Sequence, residues 1–307
     1  VSPKQAPVAP VAFLLLLVLG MIWGLSANVS KWVAISGIHP ITYGFWSCLI
    51  SVGLLWVIAA VRRRRPPFAR SDLRYYLVTA LLGFVVPSFN MYTVIGHIPA
   101  GLMSIVVSTA PILTYARALL AGSERFVALR AAGVALGLAG ALLLLGPEGS
   151  LPDPGMAGWA ALALLTPAMY ALSAVFAGRY MNRAVDALTL AAGMMPVALV
   201  AYGAAFLARG EVWLPWPLTA PGVWAVWWQG IATAAAYGLY FRIIHMAGPV
   251  FMSQVGYLVV AIGVASGMVI YGERHSGWVW AGMATMLAGL TLVNAVRAKP
   301  VRQPPSD

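Results

Sequence analysis

Residues 102–145 and residues 251–294 carry one pattern twice. Laid over each other without a gap, at a shift of 149, they are identical at 13 of 44 positions, where about 4 would match by chance in so apolar a chain. The matches include Met103-Ser104 with Met252-Ser253, Glu124-Arg125 with Glu273-Arg274, and Leu138-Ala139-Gly140 with Leu287-Ala288-Gly289. An internal duplication restricts the fold to two copies of one unit. Each copy holds two apolar runs split by a Glu-Arg pair, so the number of runs per unit decides the architecture.

The 307 residues are 61% hydrophobic and only 9% charged, against about 25% charged in a soluble domain. The chain is therefore an integral membrane protein. Its net charge of +11 sits in short loops between apolar runs, as membrane topology requires, so no nucleic-acid partner is expected. Cys48 is the single cysteine, which excludes an internal disulfide and a thiolate metal cage. It falls in an apolar run and reads as packing.

A bilayer core takes roughly 20 apolar residues per helix. Ten runs qualify, at 11–33, 41–61, 75–95, 99–121, 128–146, 157–178, 187–208, 223–245, 249–271 and 276–296. The first resembles a signal peptide, but its copy is internal. Trp23-Gly24-Leu25-Ser26-Ala27 pairs with Tyr170-Ala171-Leu172-Ser173-Ala174 at a shift of 147. The duplication thus begins at the first helix and each half has five. The expected divisions are a tail over 1–10, a first repeat over 11–149, a linker over 150–156, a second repeat over 157–296 and a tail over 297–307.

With both termini in the cytoplasm, 16 of the 19 Lys and Arg fall on the cytoplasmic side, including Arg62, Arg63, Arg64, Arg65, Arg70 and Arg74. Only Lys31, Arg209 and Arg274 remain outside, while the acids divide evenly, which is the signature of a Lys/Arg orientation rule. Because five is odd, the second half enters the membrane from the opposite side. Inverted repeats of this kind recur in secondary transporters, with the substrate near the midplane between them. Trp32, Trp159, Trp213, Trp216, Trp224, Trp278 and Trp280 read as an interfacial belt near the outer boundary.

A small-residue-rich helix, then Ser123-Glu124-Arg125 or Gly272-Glu273-Arg274, then a helix with Leu-Ala-Gly, resembles the EamA-type drug/metabolite transporter superfamily. The segment 249–273 is similar to that of its bacterial amino-acid exporters, including those for aromatic amino acids. The resemblance covers about 11–296. It implies a multi-pass protein of the bacterial inner membrane, a small-molecule substrate held in a central cavity, and helices five and ten as peripheral scaffold. The spacing of Gly133 with Gly137, and of Gly263 with Gly267, points to close helix packing. Each Glu of the Glu-Arg pairs reads as a cap for the following helix, where a carboxylate meets unpaired N–H groups.

The candidate cavity residues are polar or aromatic side chains inside apolar runs. Ser104, Ser108 and Pro111 share a helix face, with Met103 beside them, and their copied positions are Ser253, Tyr257 and Val260, next to Gln254. Trp23 and Ser26 match Tyr170 and Ser173, the third run offers Pro87, Ser88, Phe89 and Asn90, and the eighth offers Tyr237 and Tyr240. Taken singly, a Ser most often bonds its own helix and a Tyr most often packs. Together they make a semi-polar aromatic face. Pro87, Pro111, Pro167 and Pro196 interrupt runs and free carbonyls.

No Asp, Glu, Lys or Arg lies near the centre of any run, so a buried carboxylate is not expected to couple transport to protons. His97 and His245, at run ends, read as interfacial. No metalloprotease, hydrolase, nucleotide-loop or His/Cys pattern occurs, and neither enzymatic activity nor a cofactor is expected. The chain reads as an all-α bundle of ten transmembrane helices in two inverted five-helix repeats. Its expected work is moving a small metabolite outward by alternating access, with an aromatic amino acid favoured. The alternatives are export of another metabolite or drug, and lipid scrambling or flipping.

Overall fold

The structure is a computed structural model that describes residues 10–94, 106–107, 109–143, 157–210, 213–220, 222–271 and 277–295. Every regular element among them is helical. The first span is α1 (Pro10–Ile35) and the second α2 (Pro40–Val61). The third is built from α3 (Arg70–Ala80), a π-helical turn (Leu81–Val85) and α4 (Val86–Val94). The fourth contains α5 (Ala110–Leu120), and α6 (Ala128–Leu143) is the fifth. The sixth divides into α7 (Ala157–Ala163) and α8 (Leu165–Tyr180), and α9 (Ala187–Ala208) is the seventh. Helix α10 (Val223–Ser253) leaves helical geometry at Gly248, where φ is 84°, so the eighth span ends there. The ninth runs from Pro249 through α11 (Val255–Tyr271), and α12 (Gly277–Ala295) is the tenth.

By length and apolarity, four stretches of the described residues suffice to cross a bilayer: Pro10–Ser30, Pro40–Val61, Ala161–Tyr180 and Ala187–Ala208. The bent pair Val223–Ser253 and Val255–Gly263 brings the number up to five. Among the described residues the remaining spans are interrupted or shorter. In lipid a helix must satisfy its own backbone, and interruptions persist only where protein supplies the missing partners.

The ends follow local chemistry. His39 accepts from the Ile41 N–H at 3.2 Å and Pro40 opens α2 with a fixed φ. Asp186 caps α9, accepting from the N–H groups of Leu188 and Thr189 at 3.2 Å and from the Thr189 hydroxyl at 2.6 Å. Those hydrogen bonds outweigh the upward push of partial burial and hold the carboxyl below its ordinary pKa. Helix α5 closes with Gly122 at φ 64° and the Ser123 N–H on the Ala118 carbonyl at 3.0 Å, the left-handed ending that glycine favours.

Packing between the halves repeats about a pseudo-two-fold axis. Helix α1 packs on α10 and α11, while α8, its counterpart, packs on the third span and α5. Helix α2 meets its counterpart α9, and α6 meets its counterpart α12. Gly256 lies against the carbonyl of Val107, its own copy at the 149-residue shift. The α6–α12 seam obeys the same relation. A Cβ on Gly133 would stand 2.8 Å from the Gly289 carbonyl oxygen, and one on Gly140 would stand 2.7 Å from that of Gly282. These two contacts are copies of each other, so the small-residue spacing on α6 does serve close packing. Gly263 makes only an ordinary approach to Gly24.

The start of α6 corrects one expectation. Glu124 does not cap it. Its carboxylate meets the Arg130 guanidinium at 2.7 Å, with both side chains nearly enclosed. Burial raises the Glu124 carboxyl above its ordinary pKa, against the opposing pull of Arg130. The N–H of Val127 is taken by the Tyr115 hydroxyl at 2.8 Å. Glu273 lies outside the described residues.

Candidate functional site

Tyr237 and Tyr240 are one helical turn apart on α10, so their rings share a face. They stand 5.8 Å apart, and Trp23 of α1 lies 6.3 Å from the first and 6.4 Å from the second. Phe84, in the π-helical turn, meets Tyr237 at 5.6 Å and Tyr202 of α9 at 5.8 Å. Phe89 of α4 stacks on Tyr202 at 4.8 Å. On the other side Tyr240 contacts Phe241, which leads to Tyr75 and Tyr76 of α3. One aromatic cluster thus joins both repeats at the centre of the bundle.

Its polar groups come from broken helices. Pro87 has no N–H to give the Gly83 carbonyl four residues earlier. The Tyr237 hydroxyl takes that place, donating to Gly83 at 2.8 Å. Ser173 of α8 presses on the same glycine, and its hydroxyl lies 3.5 Å from that of Tyr240. At the break between α7 and α8, the Asn90 amide donates to the Leu162 carbonyl at 3.0 Å and to the Thr166 hydroxyl at 2.8 Å.

Three phenolic hydroxyls in this cluster are buried without a hydrogen-bond partner: Tyr75, Tyr76 and Tyr202. Ser88 makes only a marginal contact with the Tyr202 hydroxyl. Burying a hydroxyl without a partner costs about 1–3 kcal/mol. Tyr170 of α8 approaches Tyr202 and Tyr237 and is partly exposed.

Of the residues picked out in the sequence, Trp23, Phe89, Tyr170, Ser173, Tyr237 and Tyr240 come together here, with Asn90 at the edge. Ser26 bonds its own helix at the Ile22 carbonyl, 2.8 Å away. Ser253 and Gln254 both donate to the Val250 carbonyl, at 2.8 and 3.2 Å, at the break before α11. The Gln254 Oε1 is buried and unpartnered, but no described bond or ring contact joins it to the cluster. Tyr257 points elsewhere, packing on Gly137 and donating to the Val134 carbonyl at 3.1 Å. Met103, Ser104, Ser108 and His97 lie outside the described residues. Tyr75, Tyr76, Phe84 and Tyr202 were not anticipated, although Tyr202 carries the signal used for Tyr237: a hydroxyl inside an apolar run.

Two copies of the EamA-like transporter family model match this chain, over residues 10–146 and 157–295. The chain belongs to the EamA-like transporter family. Membership makes it a transporter and points away from an enzymatic role. Its relatives include the "uncharacterized transporter YvbV" of Bacillus subtilis (strain 168), 25% identical over 301 residues, spanning 95% of this chain and 93% of that protein. The "uncharacterized inner membrane transporter YedA" of Escherichia coli (strain K12) is 27% identical over 305 residues, spanning 94% of each. A "probable amino-acid metabolite efflux pump" of Salmonella typhimurium is 25% identical over 281 residues, spanning 80% of this chain and 93% of the pump. A solved crystal structure superposes with a TM-score of 0.74 at 18% identity, over 92% of this chain and 96% of that one. It supports the shared fold. The family's duplication matches the axis that pairs α2 with α9 and α6 with α12.

Proposed function

We propose that this transporter carries a small, net-neutral metabolite with a flat apolar part, most readily an aromatic amino acid, between its two repeats. The observation that carries the reading is the set of unpartnered hydroxyls of Tyr75, Tyr76 and Tyr202 within an aromatic cluster that Tyr170 approaches. Rings take the apolar face of such a substrate by stacking, worth about 0.5–1.5 kcal/mol per pair beyond buried area. The hydroxyls take its polar end. Neither the 75–94 segment nor the 223–241 segment contains an acid or a base, so the site suits a zwitterion rather than an ion.

The relative named as an amino-acid metabolite efflux pump supports this substrate class and an outward direction. The inner-membrane relative supports that location. The divisions at 11–149, 150–156 and 157–296, with both termini cytoplasmic, belong to the same reading and rest on the Lys/Arg distribution. Alternating access would rock one repeat against the other around the cluster. The π-helical turn at Leu81–Val85 and the break at Leu164 are the points where the third and sixth spans can bend.

Uptake of labelled phenylalanine, tryptophan, threonine and a nucleoside into proteoliposomes tests the reading. Saturable flux of the aromatic amino acids, exceeding that of threonine, is expected with and without an imposed proton gradient. Saturable nucleoside flux without amino-acid flux would refute the substrate class.

A further inference from the structure

We infer that the turn between the second and third spans is a docking site for an anionic phospholipid, its phosphate on the arginines and its acyl chains along the adjoining end of α2. Arg62, Arg63, Arg64, Arg65, Arg70 and Arg74 are all exposed. None makes an ion pair among the described residues. Two acids are near. Asp72 is almost enclosed and turned toward Tyr76. Asp186 lies near Arg62, but its oxygens are engaged in capping α9. Six arginines against these two acids leave a net cationic charge at this turn.

The orientation rule explains the sign of the charge and its side of the membrane. It does not explain two further features. Arg63 has φ 54°, and the Arg64 N–H bonds the Ala59 carbonyl at 2.9 Å, the left-handed helix ending in which glycine is most at ease. A cation is held there at a conformational cost. The arginines also adjoin an apolar wall. Val57 and Val61 are 61% and 79% exposed, and Phe68 stacks on Trp56 at 6.4 Å. The Trp56 indole N–H is anchored on the Ala192 carbonyl at 3.0 Å, which fixes the wall to α9. An apolar wall running into a cationic rim has the shape of an amphiphile with a negative head. A soluble polyanion would use the rim and leave the wall bare.

Each arginine near an anionic surface contributes about fivefold in affinity. The test is lipid retention by the full-length chain in detergent, read by native mass spectrometry. Phosphatidylglycerol and phosphatidylcholine with identical acyl chains are compared. The wild type should retain phosphatidylglycerol at least tenfold better. R62Q/R63Q/R64Q/R65Q should lose that preference, and R117Q/R125Q/R242Q, which removes exposed charge elsewhere, should keep it. V61S/F68S, with every arginine in place, should weaken retention severalfold, and it answers the question even where the quadruple variant does not fold. The proposal is overturned by equal retention of both lipids, by equal loss in the two arginine variants, or by unchanged retention in V61S/F68S. Displacement of the lipid by millimolar glycerol phosphate would overturn it too, because the site would then be one for a soluble anion.

Discussion

The seam between α6 and α12 and the aromatic centre are both places where one repeat meets its copy, and they are built in opposite ways. At the seam, backbone lies on backbone through glycines that are copies of one another, and two symmetric contacts close it. At the centre, equivalent positions have diverged. Trp23 stands where its copy is Tyr170, and among the described residues the π-helical turn belongs to the third span alone. Among the described residues the seam is closed by these backbone contacts. The centre has broken helices and hydroxyls without partners. Duplication preserved the part that holds the repeats together and released the part proposed to meet the substrate.

The sharpest way to break this contrast is at the foot of the seam. Glu124→Ala leaves Arg130 enclosed without its partner, which costs about 3–5 kcal/mol. Folded yield and melting temperature should fall steeply, and residual transport per folded molecule should stay near wild type. Loss of transport with normal stability would move function to the seam. Gly289→Ala is expected to cost about 1–3 kcal/mol, because the added Cβ would stand 2.6 Å from the Gly133 carbonyl oxygen and from the Gly137 backbone nitrogen. Crosslinking between α6 and α12 would report the separation.

At the centre, Tyr237→Phe leaves the Gly83 carbonyl without its donor. The expected loss is about 1 kcal/mol of stability, with slower transport. An unchanged melting temperature would mean that the π-helical turn needs no such support.

A control outside both regions is Asp186→Ala, expected to cost about 1 kcal/mol through the α9 cap. The folded carboxyl titrates below its ordinary value of 3.8. Its contribution is therefore present above that pH and lost as pH falls through the folded value. Melting curves of wild type and variant should converge in acid and leave transport at neutral pH unaffected.

Much of the fold was legible in the sequence because apolar runs and duplication are direct consequences of the bilayer. The ten runs match the described spans closely, including the boundary at Gly248. The site was legible only in part. Helical-face arithmetic assumes about 100° per residue along an unbroken helix, and the third, sixth and ninth spans are broken. The π-helical turn inserts a residue between Tyr75 and Phe89, so their shared side could not be counted along the chain. Tyr257 was placed by the same arithmetic with Ser253, but the break at Gln254 turns it toward α6. The role of Glu124 depended on Arg130, six residues away around a loop. Which hydroxyls lack partners is a property of packing between helices and has no local signature.

The central claim is that the free hydroxyls at the repeat interface wait for substrate. It is tested by Tyr75→Phe and Tyr202→Phe, measuring phenylalanine uptake in proteoliposomes beside thermal stability. Removing an unpartnered buried hydroxyl should leave stability unchanged or raise it by up to about 1 kcal/mol, while KM for phenylalanine rises about fivefold or more. Unchanged KM with a lowered melting temperature would show that these hydroxyls serve the protein and not its cargo.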